Sequence, residues 1–235
     1  MDFSMYSGAA FWAALLSIIV ANILLSGDNA VVIAMASRNL PASQQKKAIF
    51  WGSAAAIILR VLLTVTAVQL LTLPYLKIIG AVLLVYIGVQ LLADSNDDTE
   101  MDGHSNIWGA IRTILVADLV MSLDNVIAVA AAAQKGPEET RLALLIIGLG
   151  LSIPLIIFGS TLLLKVMDRF PVIITLGAGL LGLLAGGMLV EDPAIRDSIQ
   201  GAMEDAHMIF EGIGVALVIL LGTYLKKKNA KKEAS

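Results

Sequence analysis

Long apolar runs follow one another along this chain, separated by short polar joints. A bilayer-spanning helix needs about 20 mostly apolar residues. Seven stretches meet that criterion, at 9–36, 48–72, 75–93, 108–133, 142–164, 171–190 and 207–225. The joints carry turn chemistry: Arg38-Asn39-Leu40-Pro41, Leu73-Pro74, Gln134-Lys135-Gly136-Pro137, Phe170-Pro171 and Glu191-Asp192-Pro193. The pattern predicts an all-α, polytopic membrane protein of seven transmembrane helices in a single membrane domain over 1–235. Met1 to Phe11 holds no Lys or Arg and no small-residue cleavage site follows, so the first apolar run is read as a retained helix.

The pattern repeats. A shift of 96 positions lays Ser26, Asp28 and Asn29 on Ser122, Asp124 and Asn125, and also Pro41 on Pro137 and Gly52 on Gly148. One residue further, Pro74, Gly80, Ala81, Leu83 and Leu84 fall on Pro171, Gly177, Ala178, Leu180 and Leu181. Matches across three consecutive helices make a three-helix unit, 9–93, that recurs at 108–190. A unit with an odd number of spans must enter the membrane from the opposite side the second time. The fold expected is therefore an inverted 3+3 repeat, with its site at the repeat interface near the bilayer midplane. The helix at 207–225 lies outside the repeat. A polar, acidic linker at 94–107, from Asp94 to His104 and beyond, reads as a solvated cytoplasmic loop.

Composition narrows the chemistry. At 58% hydrophobic residues the chain exceeds the 45–50% usual in soluble domains. A net charge of -3 gives no basic surface for nucleic acid. Cys is absent and His104 and His207 are the two histidines, so a bound metal must be held mainly by oxygen. The basic residues are unevenly placed. With the N-terminus outside, the cytoplasmic side receives Arg38, Lys46, Lys47, Arg112, Lys165, Arg169 and the 226–235 tail; the outside receives Lys77, Lys135, Arg141 and Arg196. That bias places the C-terminus in the cytoplasm, with the lysine-rich tail as a topology anchor.

Against this apolar background two phrases stand out: Leu25-Ser26-Gly27-Asp28-Asn29 and Met121-Ser122-Leu123-Asp124-Asn125. An ionised Asp at the centre of a membrane helix costs roughly 2.5–3.5 kcal/mol on insertion scales. Hydrogen bonding between helices would need only the amides, so the carboxylates point to a cation. Helical geometry puts Asn22, Ser26 and Asn29 on one stripe and Asp118, Ser122 and Asn125 on its counterpart. A break at Gly27 would turn Asp28 inward and free backbone carbonyls; the second copy has Leu123 there. Asp28, Asp118 and Asp124 with Asn22, Asn29 and Asn125 form a hard oxygen set suited to Mn²⁺, Mg²⁺ or Ca²⁺. Arg60, midway along its helix, needs a carboxylate, and Asp118 is the candidate partner, whether as part of transport or as a fixed counter-ion. His207 and Glu211, with Glu204, share a helix face and make either a secondary metal site or proton relay, or a plain hydrogen-bonded group. The stripe from Gly177 to Gly187 reads as close helix packing.

The two phrases resemble the paired GDN and SLDN motifs of the TerC family of integral membrane proteins, in its short YjbE-type branch, over about 9–225. That family is named for tellurite resistance. The resemblance implies Mn²⁺ export, including supply to secreted enzymes. It carries to this chain Asp28, Asn29, Asp124 and Asn125 as ligands, with Asn22 and Asp118 as helpers. The expected function is thus a secondary transporter of the bacterial inner membrane. It is not an enzyme, has no permanently bound cofactor, moves Mn²⁺ as its cargo and runs on a proton or cation gradient. Its partners are the divalent cation, the lipid bilayer and a counter-ion, with no nucleic acid. The alternative is a membrane interaction protein that supports secretion or stress responses without transport.

Overall fold

A computed structural model describes residues 8–70, 73–94, 103–202 and 205–233. For 65–70, 103–106, 124, 127, 200–202 and 232–233 it describes the backbone alone. Most of the acidic linker, and Glu204, fall outside the described residues. Every element described is helical: α1 (Ala9–Leu24), α2 (Gly27–Ser37), α3 (Ala42–Leu70), α4 (Leu76–Ala93), α5 (Gly103–Ala133), α6 (Arg141–Gly150), α7 (Ile153–Arg169), α8 (Val172–Val190), α9 (Arg196–Ala202) and α10 (Ala206–Glu233), with one 3₁₀ turn at Glu138–Thr140.

Among the described residues five stretches are long and apolar enough to cross a membrane: Ala42–Thr64, Leu76–Ala93, Glu138–Arg169, Val172–Val190 and Ala206–Lys231. The pair α1 and α2, bent by 50°, makes a sixth. Up to six spans are therefore shown; the further stretch expected from the sequence, 108–133, lies in the 31-residue α5, where positions 124 and 127 are described by backbone alone. The protein is a multi-pass membrane protein.

Two expected helices are broken. The run at 9–36 stops at Leu25 and restarts at Gly27, the position where the sequence suggested a break. The run at 142–164, read as continuous, is interrupted at Leu151 and Ser152. Pro154 lies in the first turn of α7. It has no N–H to give the carbonyl four residues back, so the ladder cannot continue through it. α10 runs on into the basic tail as far as Glu233, beyond the predicted 225.

The outer surface is apolar. Trp12, Leu16, Ile58, Leu62, Val82, Tyr86, Phe158, Leu176 and Leu220 are among the large side chains left exposed, as a lipid-facing surface requires. The interior is one large apolar cluster drawn from both repeats, with Asn22, Ser26, Asn29, Arg60, Asp118 and Ser122 buried within the bundle. α2 packs on α7 and α5 on α3; α4 packs on α8, and α10 lies along both. Gly182 and Gly186 of α8 meet Gly214 and the Phe210 carbonyl of α10 so closely that no Cβ fits between them. The glycine stripe is a packing surface, as read from sequence.

Candidate functional site

The α1–α2 break rearranges local hydrogen bonding. The backbone N–H of Asn29 donates to Asp28 Oδ1 at 2.8 Å. The Leu25 carbonyl, at the open end of α1, accepts instead from two side chains. Asn29 Nδ2 reaches it at 3.3 Å and Asn125 Nδ2, from α5, at 3.2 Å. The equivalent amides of the two sequence phrases therefore converge on one carbonyl oxygen. Each amide that gives its N–H₂ to that carbonyl turns its own oxygen elsewhere, and Asn29 Oδ1 is buried with no hydrogen-bond partner. Asp28 stands half-buried in the first turn of α2. Asp124 follows the same turn of α5 as Asn125; its side chain lies outside the described residues.

One turn away the other half of each stripe is joined by Arg60 from α3. Its Nη2 donates to Asp118 Oδ1 at 2.5 Å, its Nη1 to Asn22 Oδ1 at 2.6 Å and its Nε to Ser122 Oγ at 3.1 Å. Within each stripe the serine hydroxyl donates backwards: Ser26 to Asn22 Oδ1 at 3.3 Å and Ser122 to Asp118 Oδ2 at 3.2 Å. Arg60 and Asp118 are 1% and 6% exposed. The expected partnership of Arg60 with Asp118 is present, and Asn22 and Asp118 face the guanidinium. Six predicted positions (Asn22, Asp28, Asn29, Arg60, Asp118 and Asn125) thus gather where α1, α2, α3 and α5 meet.

A cavity of about 150 Å³ opens beside them, lined by Ser26, Gly27, Ala30, Ser152, Ile156 and Gly159 among others. It joins both helix breaks, at 25–26 and 151–152. Ser152 was not singled out in the sequence; Pro154, two residues on, was the signal for it. Among the described residues no three His, Cys, Asp or Glu groups come together in a way that could hold a metal. At the α1–α2 break, amide and backbone oxygens stand beside the Asp28 carboxylate, a donor set that suits a hard cation.

His207 and Glu211 do not join this site. In the first turn of α10, His207 Nδ1 lies 2.9 Å from Glu211 and its Nε2 lies 3.3 Å from Glu191, while Lys77 Nζ pairs with Glu191 at 2.7 Å. His207 is 49% exposed and hydrogen-bonds within this group; Glu204, the third residue of the expected set, lies outside the described residues. Burial raises the Glu191 carboxyl, but the Lys77 hydrogen bond and charge, with His207, outweigh it and hold the group below the usual carboxylate range. A residue that the sequence reading passed over is Asp192. It accepts the backbone N–H groups of Tyr75, Lys77 and Ile78 at the start of α4, and of Ala194 in its own turn. Desolvation opposes its ionisation, yet those four donors keep its carboxyl below the ordinary range. Its place after a long apolar run and before Pro193 was the signal that it caps something.

The profile of the "Integral membrane protein TerC family" matches residues 7–230. The chain is 42% identical to the uncharacterized membrane protein YjbE of Bacillus subtilis over 215 residues, covering 91% of this chain and 95% of that one. It is 26% identical to the uncharacterized membrane protein YceF of the same organism, covering 74% and 69%. To the UPF0053 inner membrane protein YoaE of Escherichia coli it is 23% identical, covering 94% of this chain and 44% of that one. No solved structure matches it.

Proposed function

The chain belongs to the TerC family of integral membrane proteins, and from that premise we propose that it carries a divalent cation, Mn²⁺ first, outward across the bacterial inner membrane. The observation that carries the reading is the oxygen-rich break between α1 and α2. There the Leu25 carbonyl, Asn29 Oδ1 with no partner of its own, Asn125 and the half-buried Asp28 lie together. Hard divalent ions take six or more oxygens, charged and neutral. The helix break supplies backbone oxygen and the two repeats supply side chains, the arrangement that discontinuous helices use in secondary transporters.

Asp124, beside Asn125 on α5, completes the set in this proposal. Two carboxylates, Asp28 and Asp124, then meet a doubly charged ion, with Asn22 and Asp118, which Arg60 holds, as its helpers. The choice of Mn²⁺ over Mg²⁺ and Ca²⁺ rests on the family resemblance. The packing supports an inverted pair of repeats, because α2 on α7 and α5 on α3 are equivalent contacts under the 96-residue shift, and α4 on α8 joins equivalent helices. Seven spans, N-terminus outside and C-terminus cytoplasmic, follow from that pairing and the positive-inside bias. No nucleotide-binding motif or nucleophile–base pair stands in the sequence, so the reading assigns no reaction and draws the energy from a proton or cation gradient.

Mn²⁺ flux into vesicles holding only the purified protein tests this directly. Flux above that of protein-free vesicles, lost in Asp28→Asn with folding intact, is the expected result. Vesicles that stay closed to Mn²⁺ whatever gradient is imposed would favour the non-transporting alternative and overturn the proposal.

A further inference from the structure

We infer that Arg60 is a tethered cation: it holds Asp118 and Asn22 while no metal is bound and must release them as one loads. The inference deepens the transport reading and rests on it. Arg60 is the largest fully buried side chain of the described core. Its guanidinium bridges three helices, contacting Asn22 of α1 and both Asp118 and Ser122 of α5. These include the helper ligands of the proposed site, so guanidinium and metal compete for the same oxygens.

The surrounding hydrogen bonds favour this role. Asn22 Oδ1 accepts from both Arg60 and Ser26, and its Nδ2 is buried with no partner. The amide is turned with its oxygen towards a cation and leaves a donor idle, an arrangement a neutral structural link would not need. A carboxylate as buried as Asp118 cannot stand alone in a medium without water. An empty carrier must still change its exposure from one side to the other. Arg60 lets it do so with the carboxylate compensated. Asp28 lies within electrostatic reach of both Arg60 and Asp118. An ion arriving at Asp28 therefore repels the guanidinium, and a divalent ion repels it twice as strongly as a monovalent one. Selection by charge follows without a rigid cage. Guanidinium is weakly hydrated and moves on a flexible stem, which suits a group that must withdraw without leaving the protein.

Infrared difference spectra of protein carrying ¹³C-labelled arginine guanidinium, taken on adding Mn²⁺ alongside calorimetric titration, test the exchange. A label-sensitive band that shifts with Mn²⁺ in the wild type and is missing from Arg60→Lys is the expected result. Lysine reaches fewer of the three acceptors, so Arg60→Lys should also bind Mn²⁺ roughly tenfold more tightly, the scale of one charge-assisted hydrogen bond, while turning over more slowly. If Arg60→Lys does not fold, the charge-neutral pair Arg60→Gln/Asp118→Asn assigns the band instead. Wild-type protein that binds Mn²⁺ with every arginine band unmoved makes Arg60 a fixed strut and overturns this inference alone. Wild-type protein that binds no divalent ion overturns it together with the proposed function.

Discussion

Arg60→Gln is the substitution whose cost can be worked most fully from the geometry. Arg60 and Asp118 are 1% and 6% exposed and meet at 2.5 Å. Two unit charges about 4 Å apart attract by about 4 kcal/mol at an effective dielectric of about 20. Without the guanidinium, Asp118 keeps, among the described residues, the Ser122 hydroxyl at 3.2 Å. The lost contacts to Asn22 and Ser122 matter less, since hydrogen bonds between membrane helices average about 0.6 kcal/mol each. The stranded carboxylate decides the outcome, and breaking a buried pair costs about 3–5 kcal/mol. Asp118→Asn should cost a similar amount, because Arg60 stays charged. The double variant buries no charge and should lose only about 1–2 kcal/mol, so the coupling in the cycle should be about 4 kcal/mol or more. Equilibrium unfolding in mixed micelles, followed by circular dichroism and by Trp12, Trp51 and Trp108 fluorescence, measures all four corners. A double variant as unstable as the two singles combined would refute the buried-pair reasoning.

Asp192→Ala should destabilise the α4 start by about 1–2 kcal/mol, the range of a lost helix cap, and speed hydrogen exchange at the Tyr75, Lys77 and Ile78 amides. Because the native Asp192 carboxyl is held below its ordinary value, its contribution is full above about pH 4 and fades only as the pH falls through the lower native value. Loosening of α4 that begins near neutral pH would contradict this. Gly186→Val forces a branched side chain onto the Phe210 carbonyl and should part α8 from α10 at a cost of about 2 kcal/mol or more, read by the same unfolding assay. His207→Ala removes a half-exposed contact pair and should change stability by no more than about 1 kcal/mol. Mn²⁺ affinity should be untouched by it; a clear loss would bring the α10 cluster into the site.

How much of this was legible beforehand depended on which physical signal was strong. The pairs Asn22–Ser26 and Asp118–Ser122 were readable because residues four apart share a helix face and polar residues are rare in apolar runs, while the 50° bend at Gly27 carries Asn29 onto α2. Both pairs are joined by serine hydroxyls in the same direction. Arg60 and Asp118 could be paired because a guanidinium at that depth has few other options. Asp192 was missed because three of its four donors are backbone N–H groups more than a hundred residues away; its place before Pro193 marks it as a cap but not what it caps. The convergence of Asn29 and Asn125 on the Leu25 carbonyl could not be read either, since a sequence shows side chains and hides which carbonyls a broken helix will expose.

The two breaks show where the repeat stops being informative. Repetition predicts that what happens in one copy happens in the other, yet α5 continues through Leu123 while α1 and α2 part at the equivalent Gly27. The second copy opens one helix later, at 151–152, where Pro154 removes an N–H and Ser152 turns its hydroxyl back to the Gly148 carbonyl. The first copy has Ala55 and Ala56 there and stays helical. Local chemistry therefore chooses which helix yields in each copy, and the fold brings the two openings to one cavity. Arg60 shows the same divergence: Ile156, its counterpart by the 96-residue shift, lines that cavity. One copy offers a cation and the other an apolar wall. Under the proposed function, a site built from two such unlike halves need not present the same chemistry to its two faces.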